Sequence, residues 1–291
     1  MYWEKRWFQF AVLLLLAFVW GSSFILIKVG LKSFTSDQAA AIRMFLASIV
    51  LLPYAIKNLK LLNKKNLGSL LIAGFIGSFI PAFLFTKAQT QIDSALAGML
   101  NSLTPVFTLV VGFLFFKAKF KGRQVAGLVL GLVGALGLII AGDSINIGNF
   151  NAYGLFIVLA TTMYALNINV IKSRLSHLTG IQITSLSFMF LSPVSLIYLF
   201  TTDLQPVLQN PDWPVHLGAL VLLGVIGTAA AMLLMNSMIR HVSTIFASSV
   251  TYIIPIFAIM WGIFDGERIT LHHIGCMMII MFGVYLINRR K

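Results

Sequence analysis

Ten long apolar stretches run through the chain, separated by short polar segments. Crossing the ~30 Å hydrocarbon core of a bilayer takes about 20 residues of α-helix, which is the length of these stretches. We therefore expect an all-α membrane protein with ten transmembrane helices, at residues 7–28, 38–56, 66–87, 94–116, 123–141, 152–172, 181–201, 216–237, 243–264 and 270–288.

The composition supports a membrane protein. Hydrophobic residues make up 59% of the 291 residues and charged residues 10%, which leaves too few polar side chains to coat a soluble globule. The formal net charge of +13 comes from short loops rather than from one face or arm, so it does not indicate a nucleic-acid partner. The single cysteine, Cys276, excludes a disulfide framework and a thiol cluster for metal. The expected partners are the lipid bilayer and a small-molecule solute, with no cofactor; no residue pattern specifies an oligomeric state.

The placement of basic residues predicts the orientation in the membrane. If the N-terminus is cytoplasmic, all but five of the 21 Lys and Arg residues fall in cytoplasmic segments. This asymmetry fits the positive-inside rule and predicts that both termini of this multi-pass protein lie on the cytoplasmic side of the cell (inner) membrane. The five exceptions are Lys28, Lys32, Arg43, Lys87 and Arg268.

The two halves of the chain resemble each other. WGSSFILIKVGL, from Trp20, aligns with YALNINVIKSRL, from Tyr164, at an offset of 144 residues. Because each half holds five spans, the second copy must enter the membrane upside down, which gives inverted repeats at residues 1–142 and 143–291. Further matches at an offset of 150 are Gly77-Ser78 with Gly227-Thr228, Ser94 with Thr244, Ala97 with Ala247, Pro105 with Pro255, and Gly112 with Gly262.

Matching prolines interrupt two of the predicted spans. They occur in SALAGMLNSLTPVF and, 150 positions later, in TIFASSVTYIIPIF. Since proline has no amide hydrogen, Pro105 leaves the carbonyl of Asn101 without its usual donor, and Pro255 does the same to Thr251. Interrupted helices at matching places often mark the midplane site of transporters, so we expect both carbonyls to be open to a ligand or water. Proline is also common in membrane helices without any such role.

The second halves of both repeats resemble those of a known family. ALAGMLNSLTPVFTLVVGFLFFKAKFKGRQVAGLVLGLVGALGLI and ASSVTYIIPIFAIMWGIFDGERITLHHIGCMMIIMFGVYLI, together with the early WGSSF, resemble the two repeats of the EamA family in the drug/metabolite transporter superfamily. The resemblance covers nearly the whole chain and implies a metabolite carrier, often an exporter of amino acids, with a central cavity. The Gly-Glu pair frequent in that family occurs here as Gly266-Glu267, whereas Phe116-Lys117 takes its place in the first repeat.

Three cations near the outer ends of predicted spans are candidates for binding an anionic solute. They are Lys28, Arg43 and Lys87, and together they would attract a carboxylate or phosphate. Arg43 lies about five residues into its helix, or ~7 Å along the axis, and is the strongest candidate. The alternative for the two lysines is that their long side chains reach the headgroup level and bind nothing.

Deeper polar and aromatic residues complete the predicted binding site. They suit hydrogen bonding to a solute and apolar enclosure, although hydrogen bonds between helices are the competing explanation. The predicted set is Trp20, Ser23, Asn101, Thr104, Tyr164, Asn167, Thr251 and Tyr252.

The residues favour a carrier over an enzyme. No acid lies at midplane depth, and the adjacent His272 and His273 diverge by about 100 degrees on a helix, which does not suit a metal site. We therefore predict secondary transport by alternating access, with export implied by the family resemblance. A receptor or assembly protein on the same scaffold, or an integral membrane enzyme, remains an alternative.

Proline and glycine make two further local predictions. Three prolines within residues 202–215 argue against a helix in this loop. The glycines of GLVLGLVGALG, which starts at Gly127, form a smooth ridge that we expect to pack against the proline-containing helix of the first repeat.

Overall fold

The computed structural model describes residues 2–117, 122–140 and 152–288, and every regular element in these ranges is helical. The predicted repeat boundary, at residues 142 and 143, lies outside them. The ten principal helices are α1 (Arg6–Gly30), α2 (Ser36–Asn58), α3 (Lys64–Ala88), α4 (Ser94–Phe116), α5 (Gly122–Ile140), α6 (Gly154–Arg174), α7 (Gly180–Thr201), α8 (Trp213–His241), α9 (Thr244–Ser248, Ser249–Tyr252 and Ile254–Phe264) and α10 (Leu271–Asn288).

The helices correspond to the ten predicted spans. Eight of them are long and apolar enough to cross a membrane. The remaining two contain the shorter apolar stretches Gly122–Leu138 and Leu271–Ile287. The all-helical membrane fold predicted from the apolar stretches is therefore confirmed.

Two helices at matching places begin with the same hydrogen-bonded cap. At the start of α2, Thr35 Oγ1 accepts from the Gln38 amide nitrogen at 3.3 Å, and Gln38 Oε1 accepts from Thr35 N at 3.1 Å. Thr179 and Gln182 form the same reciprocal pair at the start of α7, 144 residues later. Such a capping box satisfies backbone donors that a helix start otherwise leaves unpaired. The repeat seen in the sequence is therefore a repeat of local structure.

Helix packing follows a two-fold relation between the repeats. Helix α1 packs against α8 and α9, and its counterpart α6 packs against α3 and α4. The equivalent helices α2 and α7 contact each other, as do α4 and α9, and α5 and α10. With five spans in each repeat, this relation inverts the second repeat relative to the membrane.

Helices α4 and α9 are interrupted just before their prolines, but the expected free carbonyls are not free. Helix α4 breaks between Asn101 and Thr104, and Thr104 Oγ1 donates to Asn101 O at 2.8 Å. In α9, Thr251 O accepts from Ser102 Oγ of α4 at 3.2 Å. The prediction of two carbonyls left open for a ligand was wrong because neighbouring hydroxyl groups replace the missing amide donors.

Helices α3 and α8 each contain a π-helical segment. It covers Ile72–Phe79 in α3 and Val225–Ala230 in α8, and the two segments overlap at an offset of 150 residues. π-helical turns widen a helix locally and occur often at functional sites. Apolar periodicity gave no sign of them.

The loop between α7 and α8 contains a helical turn, contrary to the sequence-based prediction. Gln205–Leu208 is helical, and Pro206 occupies its first turn. Proline is tolerated there because the amide hydrogen it lacks would have no partner in any case.

The glycine ridge of α5 packs mainly against α10 rather than against α4. Gly127 and Gly283 face each other, and a Cβ atom on either would meet the backbone oxygen of the other. Gly131 also meets Val106 of α4, so the predicted contact with the proline-containing helix is a minor one. The close approach of two glycine-bearing backbones decides which helix α5 contacts.

One carboxylate joins three helices at one end of the bundle. Glu267, just after α9, has a side chain that is 1% exposed. Its Oε1 accepts from Lys28 Nζ at 2.8 Å, from Ser94 N at 3.0 Å and from Ser94 Oγ at 2.6 Å, while Oε2 accepts from Ala95 N at 2.9 Å. Lys28 also pairs with Asp265 at 2.7 Å. We call this group the Glu267 latch; it ties the end of α1 and the loop after α9 to the start of α4.

The Glu267 latch predicts a pH-dependent stability. Burial of the carboxyl group raises its pKa, but hydrogen bonds from Lys28, Ser94 and Ala95 outweigh this effect and leave the pKa of Glu267 below its ordinary value of 4.5. A lowered folded-state pKa stabilises the fold above the ordinary pKa, and this contribution is lost as the pH falls through the lower value. Glu267→Gln should cost about 2 kcal/mol at pH 7 and flatten the fall in melting temperature between pH 6 and 3.

The matched control is Asp212→Asn, at an exposed acid. Melting curves of the detergent-purified proteins measure both effects. Equal melting temperatures for Glu267→Gln and the parent protein at pH 7 would contradict the stabilising role of the latch.

The α5–α10 contact predicts opposite effects for two glycine substitutions in α10. A Cβ at Gly283 would lie 2.6 Å from Gly127 O and 2.9 Å from Gly131 N, whereas no atom of the described residues lies within 4 Å of one at Gly275. Gly283→Ala should therefore destabilise by about 1–3 kcal/mol. Gly275→Ala should be neutral or stabilising because alanine favours the helix. Thermal melting of both variants tests this contrast, which fails if the two melt alike.

Candidate solute-binding cavity

A cavity lies between the two repeats, enclosed by α1, α2, α3, α4, α6, α8 and α9. We call it the central cavity. Its polar lining comprises Ser23, Arg43, Ser78, Asn101, Thr104, Tyr164, Asn167, Thr228, Asn236, Ser248 and Thr251. Its other lining residues are Trp20, Phe24, Ile27, Met44, Gly77, Phe85, Ile168, Gly227, Met232, Met235, Ile239 and Val250.

Most of the residues predicted to contact solute lie together in this lining. Three do not: Lys28 belongs to the Glu267 latch, Lys87 is exposed, and Tyr252 is half-buried outside the lining. Pro105 and Pro255 are buried beside the helix breaks rather than in the lining. The predicted residues that line the cavity are Trp20, Ser23, Arg43, Asn101, Thr104, Tyr164, Asn167 and Thr251.

Arg43 is a buried cation that faces the cavity. Only 9% of its surface is exposed, and its Nε donates to Thr228 Oγ1 at 2.7 Å. No carboxylate among the described residues pairs with it, and its terminal amino groups donate to no described residue. A buried charge without a partner costs free energy, so this site favours an anionic ligand.

Thr228 positions the Arg43 side chain because its hydroxyl oxygen can only accept the hydrogen bond from Arg43 Nε. Its hydroxyl donates to Leu223 O at 2.8 Å, five residues earlier along α8. A hydroxyl has a single hydrogen, so the Thr228 oxygen is left to accept from Arg43 Nε. The π-helical segment of α8 thus positions the cation across the interface between the repeats.

The glycines of both π-helical segments allow close contacts with α1 and α6. Trp20 Nε1 donates to Gly227 O at 3.0 Å, and a Cβ on Gly227 would lie 3.0 Å from Ser23 Oγ. At the equivalent place, a Cβ on Gly77 would collide with the Asn167 amide. Ser23 and Asn167 are themselves equivalent at an offset of 144 residues. Each repeat therefore presses one polar side chain of the lining against the π-helical glycine of the other repeat.

Tyr164 connects the aromatic and cationic parts of the lining. Its ring stacks on Phe85, with 5.9 Å between centroids and 19° between planes. Arg43 belongs to the same lining. A small solute in the cavity would thus meet an apolar ring surface beside a positive charge.

Sequence reasoning did not assign Thr228, Ser78 or the two π-helical glycines to the site. A signal for them existed, since Gly77-Ser78 and Gly227-Thr228 match at the same offset as the prolines. Asn236 had no such signal, because its equivalent in the first repeat is Thr86, which does not line the cavity.

The two repeats match one family of known proteins. The sequence model of the EamA-like transporter family matches residues 7–140 and again residues 152–289. The chain belongs to the EamA-like transporter family. It is therefore a membrane transporter with one EamA-like unit in each half.

Relatives of similar length support this assignment. An uncharacterized transporter of Archaeoglobus fulgidus is 24% identical over 99% of this chain and 100% of its own length. The uncharacterized inner membrane transporter YedA of Escherichia coli K12 is 26% identical over 97% of this chain and 91% of its own. A "probable amino-acid metabolite efflux pump" of the same organism is 25% identical over 94% of this chain and 92% of its own.

The fold also occurs in a solved structure. A crystal structure matches with a TM-score of 0.68 over 98% of this EamA-like chain and 97% of its own chain. The sequence identity is 13%, so this match concerns the fold alone.

Proposed function

We propose that the protein is a secondary carrier that exports a small carboxylate-bearing metabolite, an amino acid or a related solute. The observation that carries this proposal is the Arg43 guanidinium, which is buried, faces the central cavity and has no carboxylate partner among the described residues. The predicted site residues of the lining are the proposed solute contacts.

A carboxylate solute supplies what Arg43 lacks. The Nε of Arg43 already donates to Thr228, so the terminal amino groups of Arg43 remain for the solute. Arginine presents a planar array of donors that fits the two oxygens of a carboxylate. The pairing would offset the cost of the buried charge, and the rings of Trp20, Phe85 and Tyr164 would enclose an apolar portion of the solute.

Two relatives support the direction and the location of transport. One is named as a probable amino-acid metabolite efflux pump and another as an inner membrane transporter. We extend both properties to this chain, with the termini on the cytoplasmic side as the basic residues predict.

The arrangement of the repeats supports alternating access as the transport mechanism. The central cavity lies between two inverted five-helix units, which rock against each other in carriers of this kind. In the proposed orientation the Glu267 latch closes the outer side, because α1 ends and α4 begins there. The equivalent of Glu267 in the first repeat is Lys117, so the inner side lacks this acid. Opening toward the outside then requires the latch to separate.

Transport by Arg43 variants tests the proposal. Full-length protein in sealed proteoliposomes is assayed by counterflow with labelled neutral, acidic and basic amino acids. Arg43→Ala should lower the rate for the transported solutes about tenfold or more, since a hydrogen-bonded charge pair is lost. Lys87→Ala, an exposed cation outside the cavity, should transport as well as the parent protein. Primary amines that lack the carboxylate should not compete.

Binding of an amino acid without flux in either direction would contradict the carrier and favour a receptor. Unchanged flux in Arg43→Ala would overturn the role of the cation.

The stability of an Arg43 variant provides a further check. Arg43→Met should melt at the same or a higher temperature without solute, because it removes an unpaired buried charge, yet lose the rise in melting temperature that solute causes.

The bond between Thr228 and Arg43 predicts a second effect on transport. Thr228→Val keeps the shape of the side chain but removes the acceptor for Arg43 Nε, so transport should fall about tenfold. Thr228→Ser should retain most of it. Thr86→Val is the matched control, because Thr86 is a buried threonine of α3 that lies outside the lining. Equal flux in the two valine variants would show that the Thr228 hydroxyl does not position the cation.

A further inference from the structure

The central cavity has a second polar region, made of neutral acceptors. We propose that Ser78, Asn167 and Asn236 accept hydrogen bonds from the ammonium group of the solute, so that the cavity selects an amino acid over the same carboxylate without its amine. This inference rests on the proposed function, since it concerns the other end of a solute whose carboxylate pairs with Arg43.

Three buried oxygen atoms in the lining have no hydrogen-bond partner among the described residues. They are Ser78 Oγ, Asn167 Oδ1 and Asn236 Oδ1. The exposed fractions of the three residues are 6%, 4% and 2%. A buried acceptor without a donor destabilises the protein, and a donor that arrives with a ligand removes this cost. Among the described residues, the lining therefore offers one cation without an anion and three oxygen atoms without a hydrogen-bond partner.

Neighbouring bonds settle the orientation of the Asn236 amide. Thr184 Oγ1 donates its single hydrogen to Gly180 O at 2.8 Å. The same oxygen lies 2.9 Å from Asn236 Nδ2 and must act as the acceptor in that bond. The amide nitrogen of Asn236 is thus engaged with α7, and its oxygen is the atom that lacks a partner.

Asn167 and Ser78 line the same cavity as Arg43. Asn167 follows Tyr164 by three residues, about one turn of α6, and both residues line the cavity together with Arg43. The Asn167 amide packs against Gly77, which directly precedes Ser78.

The repeats differ in charge at the equivalent place. The counterpart of Arg43 in the second repeat is Ser187, and the counterpart of Thr228 in the first repeat is Ser78; neither serine carries a charge. A second cation there would repel an ammonium group, whereas neutral oxygen atoms can accept from it. The cavity thus has a cationic region on α2 and a region of neutral hydrogen-bond acceptors on α3, α6 and α8.

Matched ligand pairs test the selection. Dissociation constants for L-phenylalanine and 3-phenylpropionate, and for L-leucine and 4-methylpentanoate, are measured by thermal-shift titration of the purified full-length protein. The parent protein should bind each amino acid about tenfold or more tightly than its deaminated partner. Asn167→Leu and Asn236→Leu should bring this ratio close to one, because they weaken the binding of the amino acids far more than that of the deaminated acids.

Two further variants serve as controls. Asn167→Asp should raise the ratio, because a carboxylate binds an ammonium group more strongly than an amide oxygen does. This gain cannot come from a damaged fold. Ser185→Ala removes a buried hydroxyl that has no partner among the described residues and lies outside the lining, so it should leave the ratio unchanged.

The outcomes separate this inference from the proposed function. Equal binding of both members of each pair by the parent protein, or an unchanged ratio in both leucine variants and in Asn167→Asp, overturns the ammonium site and leaves the carrier intact. Failure of all four compounds to bind, or binding that Arg43→Ala does not weaken, overturns the carboxylate site and the ammonium site with it.

Discussion

Lipid offers no hydrogen bonds, so every irregularity of a spanning helix has to be satisfied by the protein itself. The breaks in α4 and α9 meet this constraint through hydroxyl groups, with Thr104 donating to Asn101 O and Ser102 to Thr251 O. The bond from Ser102 also joins the two repeats at their broken helices. The interruptions can therefore lie beside a cavity without leaving the backbone unpaired.

The symmetry of the scaffold explains where the cavity is, and the departures from symmetry explain its chemistry. The π-helical segments of α3 and α8 present equivalent glycines to Asn167 and Ser23. Arg43 of the first repeat departs from this symmetry, and it donates a hydrogen bond to Thr228 of the second repeat. A strictly symmetric cavity would hold two like charges or none, and neither arrangement would orient an asymmetric solute.

The Glu267 latch is a second departure from symmetry. The acid of the Gly-Glu pair after α9 binds Lys28 and the start of α4, while the corresponding position after α4 is Lys117. The two ends of the bundle thus carry different groups at this equivalent position. An ion pair with backbone donors at one face gives that face its own dependence on pH and salt.

The sequence by itself determined the helices, the repeats and Arg43 as the strongest cationic candidate. Length, apolar composition and matching prolines are local properties that the membrane as a solvent constrains directly. Only the tertiary structure decided that Lys28 pairs with Glu267, 239 residues away, instead of facing the cavity. It also decided that Thr228 holds Arg43 and that nearby hydroxyls occupy the carbonyls of the broken helices. These outcomes depend on which side chains meet across helices that are distant in the chain, and apolar periodicity carries no information about such partners.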